Sequence, residues 1–138
     1  RRPGQPKVLC GPVTVAGEPP TGWPATPIDV AALGASARDA ATAASAEADV
    51  APFVLRGSFS VDEPTDLFLD TKGWGKGFAL VNGFLLGRYW SSGPQRTLYV
   101  PAAALTAGEN VVVVVELDRV TEAEARFVAE PDLGPLEE

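Results

Sequence analysis

Five consecutive valines, Val111–Val115, most constrain what this chain can fold into. Valine is β-branched and stiff at χ1, so a run of valines favours an extended strand over a helix. The run is far shorter than the roughly 20 apolar residues that a membrane-spanning helix needs. An uninterrupted apolar strand is typical of a central position, buried on both faces of a sheet. The run therefore predicts the middle strand of a β-sheet.

Other short apolar segments alternate with turns. From Phe53 to Val61, large apolar residues alternate with smaller or polar ones, which indicates a half-buried strand. Asn82-Gly83 separates two apolar runs and predicts a hairpin, because both residues of such a turn take positive φ. Further strands are predicted at residues 66–70, 78–81, 84–86, 97–100 and 125–130. Several short strands separated by turns predict an all-β sandwich or barrel.

The composition divides the chain into three zones. Residues 1–51 comprise a predicted strand, a Pro- and Gly-rich arm and an alanine-rich loop. This loop, residues 31–51, has no large apolar residues at helical spacing, so we expect it to be mobile with at most a weak helix. Residues 52–130 carry the predicted sandwich, and residues 131–138 form a C-terminal tail. The sequence contains no methionine, so we expect a processed product or a piece of a longer protein.

Several kinds of catalytic chemistry need residues that this sequence lacks. It contains no histidine and a single cysteine, Cys10, which excludes histidine-based triads, histidine metal sites and four-cysteine zinc sites. We expect Cys10 to be a small buried residue. Paired carboxylates remain, but most acidic residues lie in predicted turns, and Glu116, inside a predicted strand, has no obvious acidic partner. The sequence therefore predicts no catalytic residue, no metal site and no cofactor.

The net charge of −7 is unevenly distributed along the chain. Residues 71–108 contain four basic residues and no acidic one, so the other 100 residues together carry −11. The overall acidity argues against nucleic acid and an anionic membrane as partners. No signal-peptide pattern opens the chain, which slightly favours a cytoplasmic over a secreted protein without deciding the compartment.

The same basic segment is rich in aromatic residues. It holds six of the eleven in the chain, namely Trp74, Phe78, Phe84, Tyr89, Trp90 and Tyr99. Basic residues among aromatics are typical of sugar-stacking platforms, single-stranded nucleic-acid sites and protein interfaces. We expect Phe78, Phe84 and Tyr99 to fill the core. For Trp74 and Trp90, the sequence is equally compatible with a position in the core and a position at the surface. The candidate carbohydrate or domain-interface residues are Trp74, Lys76, Arg88, Tyr89, Trp90 and Gln95.

An ordered series of motifs runs from Asp70 to Pro101, reading DTKGWGKG, VNG, LGRYW, GPQ and TLYVP. Over about residues 53–118 this series closely resembles the C-terminal region of β-galactosidases of glycoside hydrolase family thirty-five. The resemblance implies a galactose-binding-domain-like jelly-roll β-sandwich attached after a catalytic barrel. Those enzymes are retaining glycosidases, and their two catalytic glutamates lie on the barrel. Neither glutamate has a counterpart here, so the resemblance implies a fragment without activity of its own.

The resemblance leads to three hypotheses for function. The first is a non-catalytic C-terminal domain of a β-galactosidase-like glycoside hydrolase, docked on the catalytic barrel of the same polypeptide. The second is a carbohydrate-binding module that recognises galactosides, with Trp74 or Trp90 as the stacking platform and Arg88 and Gln95 as hydrogen-bond donors. The third is a free-standing β-sandwich interaction domain.

Overall fold

The computed structural model describes residues 11–22, 24–29, 32, 38–39, 52–121 and 124–134. In the described residues the regular elements are strands, apart from a 3-10 helix at Ala102–Ala104 and the single helical residue Ala32. The strands are β1 (Arg38–Asp39), β2 (Phe53–Val61), β3 (Leu67–Asp70), β4 (Lys76–Val81), β5 (Phe84–Trp90), β6 (Thr97–Val100), β7 (Gly108–Glu116) and β8 (Arg126–Val128). The predicted all-β class is confirmed. No helix in the described part of the chain is long and apolar enough to cross a membrane.

The strands form a sandwich of two sheets. The larger sheet has the order β1-β2-β7-β4-β5, and the smaller has the order β6-β3-β8. Neighbouring strands are antiparallel except β1 and β2, which are parallel. The core lies between the sheets and includes Leu69 and Val100 from the smaller sheet and Val81 and Val114 from the larger one. This arrangement confirms the predicted β-sandwich.

The valine run occupies the centre of the larger sheet. Strand β7 pairs with β2 on one side and with β4 on the other. Val112 and Val114 belong to the core between the sheets, and Val113 and Val115, which alternate with them, are also buried. The strand is therefore buried on both faces, as the β-branched run predicts.

The hairpin between β4 and β5 positions the segment of greatest functional interest. Asn82 and Gly83 both have positive φ, 48° and 80°, and they connect the directly paired Val81 and Phe84. Further along, Ala79 pairs with Gly87 whereas Leu80 pairs with Leu85, so β5 contains one extra residue, Leu86. Gly87 has a φ of 135°, which only glycine adopts readily. The hairpin prediction is confirmed, and the bulge in β5 was not predicted.

Two aromatic residues expected in the core lie at the surface, so that prediction is wrong for both. Phe84 and Tyr99 are each about half exposed, whereas Phe78 is partly buried. Phe84 follows the hairpin turn on β5, which is an edge strand. Tyr99 pairs with Phe68 across β6 and β3, and its hydroxyl group hydrogen-bonds to Asp66. Whether a strand residue faces the core depends on its place in the alternation along the strand and on whether the strand lies at the edge of its sheet. The composition of the segment reveals neither.

Segments outside the predicted sandwich contact it. Within residues 31–51 the structure describes Ala32 and β1, which pairs with Leu55 and Arg56 of β2. Backbone pairing at a sheet edge needs no large apolar side chain, so the composition did not predict β1. In the C-terminal tail, the carbonyl of Asp132 accepts a hydrogen bond of 3.0 Å from the Arg96 N–H. The predicted N-terminal strand covers Val8-Leu9 and residues 13–15. In the structure residues 13–15 are exposed and form no strand, apart from an isolated bridge between Val15 and Glu18, so this part of the prediction is wrong. Val8-Leu9, Cys10 and the rest of the alanine-rich loop lie outside the described residues.

Candidate functional site

A cationic aromatic patch lies at the open end of the β4–β5 hairpin. Lys76 on β4 is directly opposite Trp90 on β5, and Arg88 lies two residues before Trp90 on the same face. The Lys76 Nζ atom is 5.7 Å from the centre of the Trp90 ring, and the guanidinium carbon of Arg88 is 5.5 Å from it. Both distances are within the range of cation–π attraction. Trp90 remains 45% exposed. We call these three residues the Trp90 patch.

Trp74 and Tyr89 lie beneath this patch, in the core. Their exposed fractions are 5% and 3%, and their ring centres are 5.3 Å apart. Tyr89 alternates with Arg88 and Trp90 along β5, so its side chain points to the opposite face of the sheet. A sugar-stacking platform needs an exposed ring face, which Trp74 and Tyr89 do not offer. Of the six predicted candidates, the structure thus places Trp74 and Tyr89 inside and the other four at or near the surface.

A buried carboxylate connects the patch to the core. Glu116, the last residue of β7, has no exposed surface. Its two oxygens accept five hydrogen bonds of 2.8 to 3.1 Å. The donors are the backbone N–H groups of Gly75, Lys76, Leu117 and Asp118 and the hydroxyl of Tyr89. Hydrogen bonds to an ionised carboxylate are stronger than neutral ones, so Glu116 fixes the start of β4 against the end of β7.

Two glycines of the GWGKG motif allow their segment to pack closely against the end of β7 and the residues that follow it. A Cβ atom on Gly77 would lie 1.8 Å from the Val115 carbonyl oxygen and 2.6 Å from the Tyr89 hydroxyl oxygen. A Cβ atom on Gly75 would lie 2.9 Å from backbone atoms of Arg119. Real Cβ atoms do not approach other heavy atoms so closely, so both positions require glycine. Sequence reasoning missed this cluster, although Glu116 was visible as the one acidic residue inside the apolar β7 run.

The Tyr89 hydroxyl is held in its neutral form. Burial raises the pKa of Tyr89 above its usual range, and the charge of Glu116 and the hydrogen bond to it raise the pKa further. The hydrogen bond to Asp66 raises the pKa of Tyr99, which is exposed. A raised pKa in the folded state means that Tyr89 stabilises the fold fully below its unfolded pKa of about 10, and that this stabilisation is lost as pH rises further.

Alkaline titration is therefore expected to separate the two tyrosines of the chain. Followed by tyrosinate absorbance, Tyr99 should ionise first, in the folded protein. Tyr89 should ionise only together with the loss of the far-ultraviolet circular dichroism of the fold, because its phenolate cannot form beside Glu116. The variant Tyr89→Phe should remove the second step and leave the first. Ionisation of both tyrosines near pH 10 in a folded protein would contradict the buried Tyr89–Glu116 contact.

Two adjoining cavities lie against the loop that follows β5, and we call them together the Trp90 cleft. Their volumes are about 460 and 310 Å³, and Thr71, Trp90 and residues 92–95 line both. These volumes lie within the range of small-ligand sites, roughly 300 to 1,000 Å³. The loop is anchored at both ends. The Ser91 N–H donates to the Gly75 carbonyl at 2.7 Å, and the Thr71 hydroxyl donates to the Arg96 carbonyl at 2.9 Å.

The charged side chains that line the cleft are all hydrogen-bond donors. Lys72 and Arg96 line the larger cavity and Arg88 the smaller, and no carboxylate lines either among the described residues. Gln95 lines both, and its amide donates to the Thr97 carbonyl at 2.6 Å. In the described part of the chain, no group of three or more Cys, Asp or Glu residues could hold a metal ion. The described lining of the cleft thus offers cationic, amide and hydroxyl groups that can hydrogen-bond a ligand.

A β-sandwich is an architecture that many unrelated functions share, so the family of this chain is identified by comparison with known proteins. Residues 52–110 match the family model described as beta-galactosidase, galactose-binding domain. The matched segment is thus a relative of the galactose-binding domain of β-galactosidases, which confirms the predicted resemblance to that domain.

Curated relatives agree with this family. Beta-galactosidase-1-like protein 2 of Homo sapiens is 42% identical over 89 residues, which are 64% of this chain and 14% of that protein. Beta-galactosidase 17 of Arabidopsis thaliana is 51% identical over 71 residues, 49% of this chain and 10% of that protein. Beta-galactosidase of Macaca fascicularis is 38% identical over 117 residues, 72% of this chain and 17% of that protein. The chain spans less than a fifth of the length of each of these relatives.

Proposed function

We propose that this chain is a non-catalytic C-terminal domain of a retaining β-galactosidase-like glycosidase of family thirty-five. Its role is to pack against the catalytic domain of the same polypeptide. The relatives support this proposal, because they are β-galactosidases and β-galactosidase-like proteins of which the matched segment is only a small part.

The observation that carries the docking role is the apolar surface of β5. This strand lies at the edge of the larger sheet, and Phe84, Leu85 and Trp90 on it are each about half exposed, with Leu85 and Trp90 on one face and Phe84 on the other. An edge strand with large exposed apolar side chains invites association, so native proteins cover or interrupt it. The bulge at Leu86 interrupts the regular backbone pairing. A partner would therefore pack on the side chains of β5 rather than add another strand.

The carboxylates of the described residues support a non-catalytic role. Glycoside hydrolysis needs two carboxyl groups about 5 to 9.5 Å apart across the sugar. The buried carboxylate of Glu116 is occupied by five donors of its own chain. The described residues that line the Trp90 cleft include no carboxylate. This chain is therefore expected to give no hydrolysis of a chromogenic galactoside, and clear turnover would overturn the proposal.

Docking is tested by weakening the apolar surface of β5. The double variant Phe84→Ser, Leu85→Ser is expected to bind the separately expressed catalytic domain of the same gene product at least about tenfold more weakly. Ile28→Ser is the matched control, because Ile28 is also an exposed apolar residue but lies outside the two sheets. Undiminished binding of the double variant would overturn the docking role. The docking role would also be overturned if the flanking coding sequence encoded no glycosidase barrel.

A second candidate function is galactoside binding in the Trp90 cleft. The specific observation in its favour is the exposed Trp90 ring beside a cavity of about 460 Å³ that is lined by Gln95 and two serines. Sugar sites commonly combine an aromatic face with hydrogen-bonding side chains. Calorimetric titration with galactose and β-linked galactans is expected to show saturable heat. Flat titrations of the folded protein would contradict this function.

A further inference from the structure

We infer that the Trp90 cleft selects galactosides that carry a negative charge, as a carboxylate or a sulfate group. This inference rests on the second candidate function, galactoside binding in the cleft, and names the substrate class of that site. Its basis is the charge of the cleft, which is opposite to the charge of the chain as a whole.

Four cations surround the cleft. Lys72 and Arg96 line the larger cavity, Arg88 lines the smaller one, and Lys76 contacts the Trp90 ring that borders both. Because the chain carries a net charge of −7, acidic residues would be expected near a binding site that does not select its ligand by charge. A cleft walled by one sign of charge focuses the field and attracts ligands of the opposite sign. The Trp90 cleft thus attracts anions although the whole chain repels them.

The acidic neighbours of these cations leave most of the positive charge in place. Asp132 is 3.9 Å from Arg96, and both side chains are more than half exposed, so this ion pair is weak. Asp70 and Glu124 line a separate cavity, which Lys72 also lines together with Arg126. Among the described residues, no salt bridge within 4.0 Å involves Lys72, Lys76 or Arg88. These three ammonium and guanidinium groups therefore keep donors for a ligand.

The shape of the cleft favours a ligand of at least two sugar rings. Trp90 and residues 92–95 border both cavities, so the two volumes adjoin along one loop. Arg96 lines the larger cavity and Arg88 the smaller, so each cavity has one arginine in its lining. Guanidinium groups bind carboxylate and sulfate oxygens through paired hydrogen bonds. A disaccharide with an acidic group on each ring would use both arginines, with Trp90 between them.

Calorimetry of the 138-residue chain with two matched disaccharides tests this selectivity. Digalacturonic acid is expected to bind at least about tenfold more tightly than neutral galactobiose at low salt, because the cleft cations bind the charged groups. Sodium chloride at about 0.5 M should reduce this ratio to below about threefold by screening. The affinities for galactose 6-sulfate and for galactose are compared in the same way. This second comparison shows whether the cleft recognises a sulfate group as well as a carboxylate.

Charge-neutralising variants connect the selectivity to the cleft. Arg88→Gln and Arg96→Gln are each expected to lower the preference for digalacturonic acid by several fold, with less effect on galactobiose. Arg56→Gln is the control, because it removes the same charge from β2, which two strands separate from β5. Melting curves of all three variants should show that they remain folded. An unchanged preference in Arg88→Gln and Arg96→Gln would overturn the inference.

The remaining outcomes are also decisive. Equal binding of both disaccharides would overturn the selectivity and leave galactoside binding standing. No binding of either disaccharide would overturn both. Competition by a tetraglutamate peptide as strong as by digalacturonic acid would show attraction of any anion without recognition of sugar, and this too would overturn the inference.

Discussion

Replacing Gly77 with alanine is expected to destabilise the fold by at least about 3 kcal/mol. The added Cβ atom would lie 1.8 Å from the carbonyl oxygen of Val115, a backbone atom of the central strand. It would also lie 2.6 Å from the Tyr89 hydroxyl, which donates to Glu116. Relief of both overlaps would require β4 to move away from β7. Chemical denaturation of the purified variant measures the loss, and failure to fold is its extreme form.

A second glycine in the same sheet provides the control. A Cβ atom on Gly57 of β2 would lie 3.6 Å from a methyl group of Val112, which is an ordinary contact. Gly57→Ala is therefore expected to change the free energy of unfolding by less than about 1 kcal/mol. Equal stability of Gly77→Ala and Gly57→Ala would contradict the close packing of β4 on β7.

Replacing Glu116 with alanine is expected to cost about 3 to 5 kcal/mol of stability, because a buried charge-assisted network loses its acceptor. Four backbone N–H groups and the Tyr89 hydroxyl would lose a bond, and Gly75 and Leu117 retain only their backbone contacts. No buried side-chain nitrogen or oxygen of the described residues lacks a partner in the intact fold. The unfolding free energy in urea measures the loss.

The isosteric variant Glu116→Gln separates charge from shape. Glutamine keeps one oxygen for the donors, but its NH₂ group must face donors at the other end. Its loss of stability is therefore expected to lie between those of the wild type and Glu116→Ala. Because Glu116 holds the N–H of Lys76 at 2.8 Å, both variants should also alter the fluorescence of Trp90. Wild-type stability in Glu116→Ala would contradict the structural role of this carboxylate.

Local patterns predicted most of the sandwich. The valine run, the Asn82-Gly83 turn and the alternation from Phe53 to Val61 each report a short-range preference, and each corresponds to an observed element. Strand β8 also occurs where predicted, and Phe127 on it stacks on Phe59 with ring centres 4.0 Å apart. Such preferences depend on neighbours two or three residues away, so the sequence contains them directly.

The site depended on contacts between distant residues, which the sequence does not display. Trp74 and Trp90 have similar neighbours, yet one lies in the core and the other at the surface. Their difference arises because Trp74 precedes β4 in a loop that folds over Tyr89, whereas Trp90 alternates with Tyr89 on β5. The donors to Glu116 from Gly75 and Lys76 come from about 40 residues away along the chain. Segment composition points to the basic aromatic segment as a candidate site but does not give the orientation of its side chains.

Hydroxyl-radical footprinting most directly tests whether β5 is a docking surface in the longer protein that we propose. Phe84, Leu85 and Trp90 should be oxidised readily in the 138-residue chain, where each is about half exposed. In the longer protein their oxidation rates are expected to fall at least about fivefold, because side chains in the centre of an interface exclude solvent. Tyr99, half exposed on the other sheet, is the internal reference and should not change. Unchanged rates for Phe84, Leu85 and Trp90 would contradict the docking role.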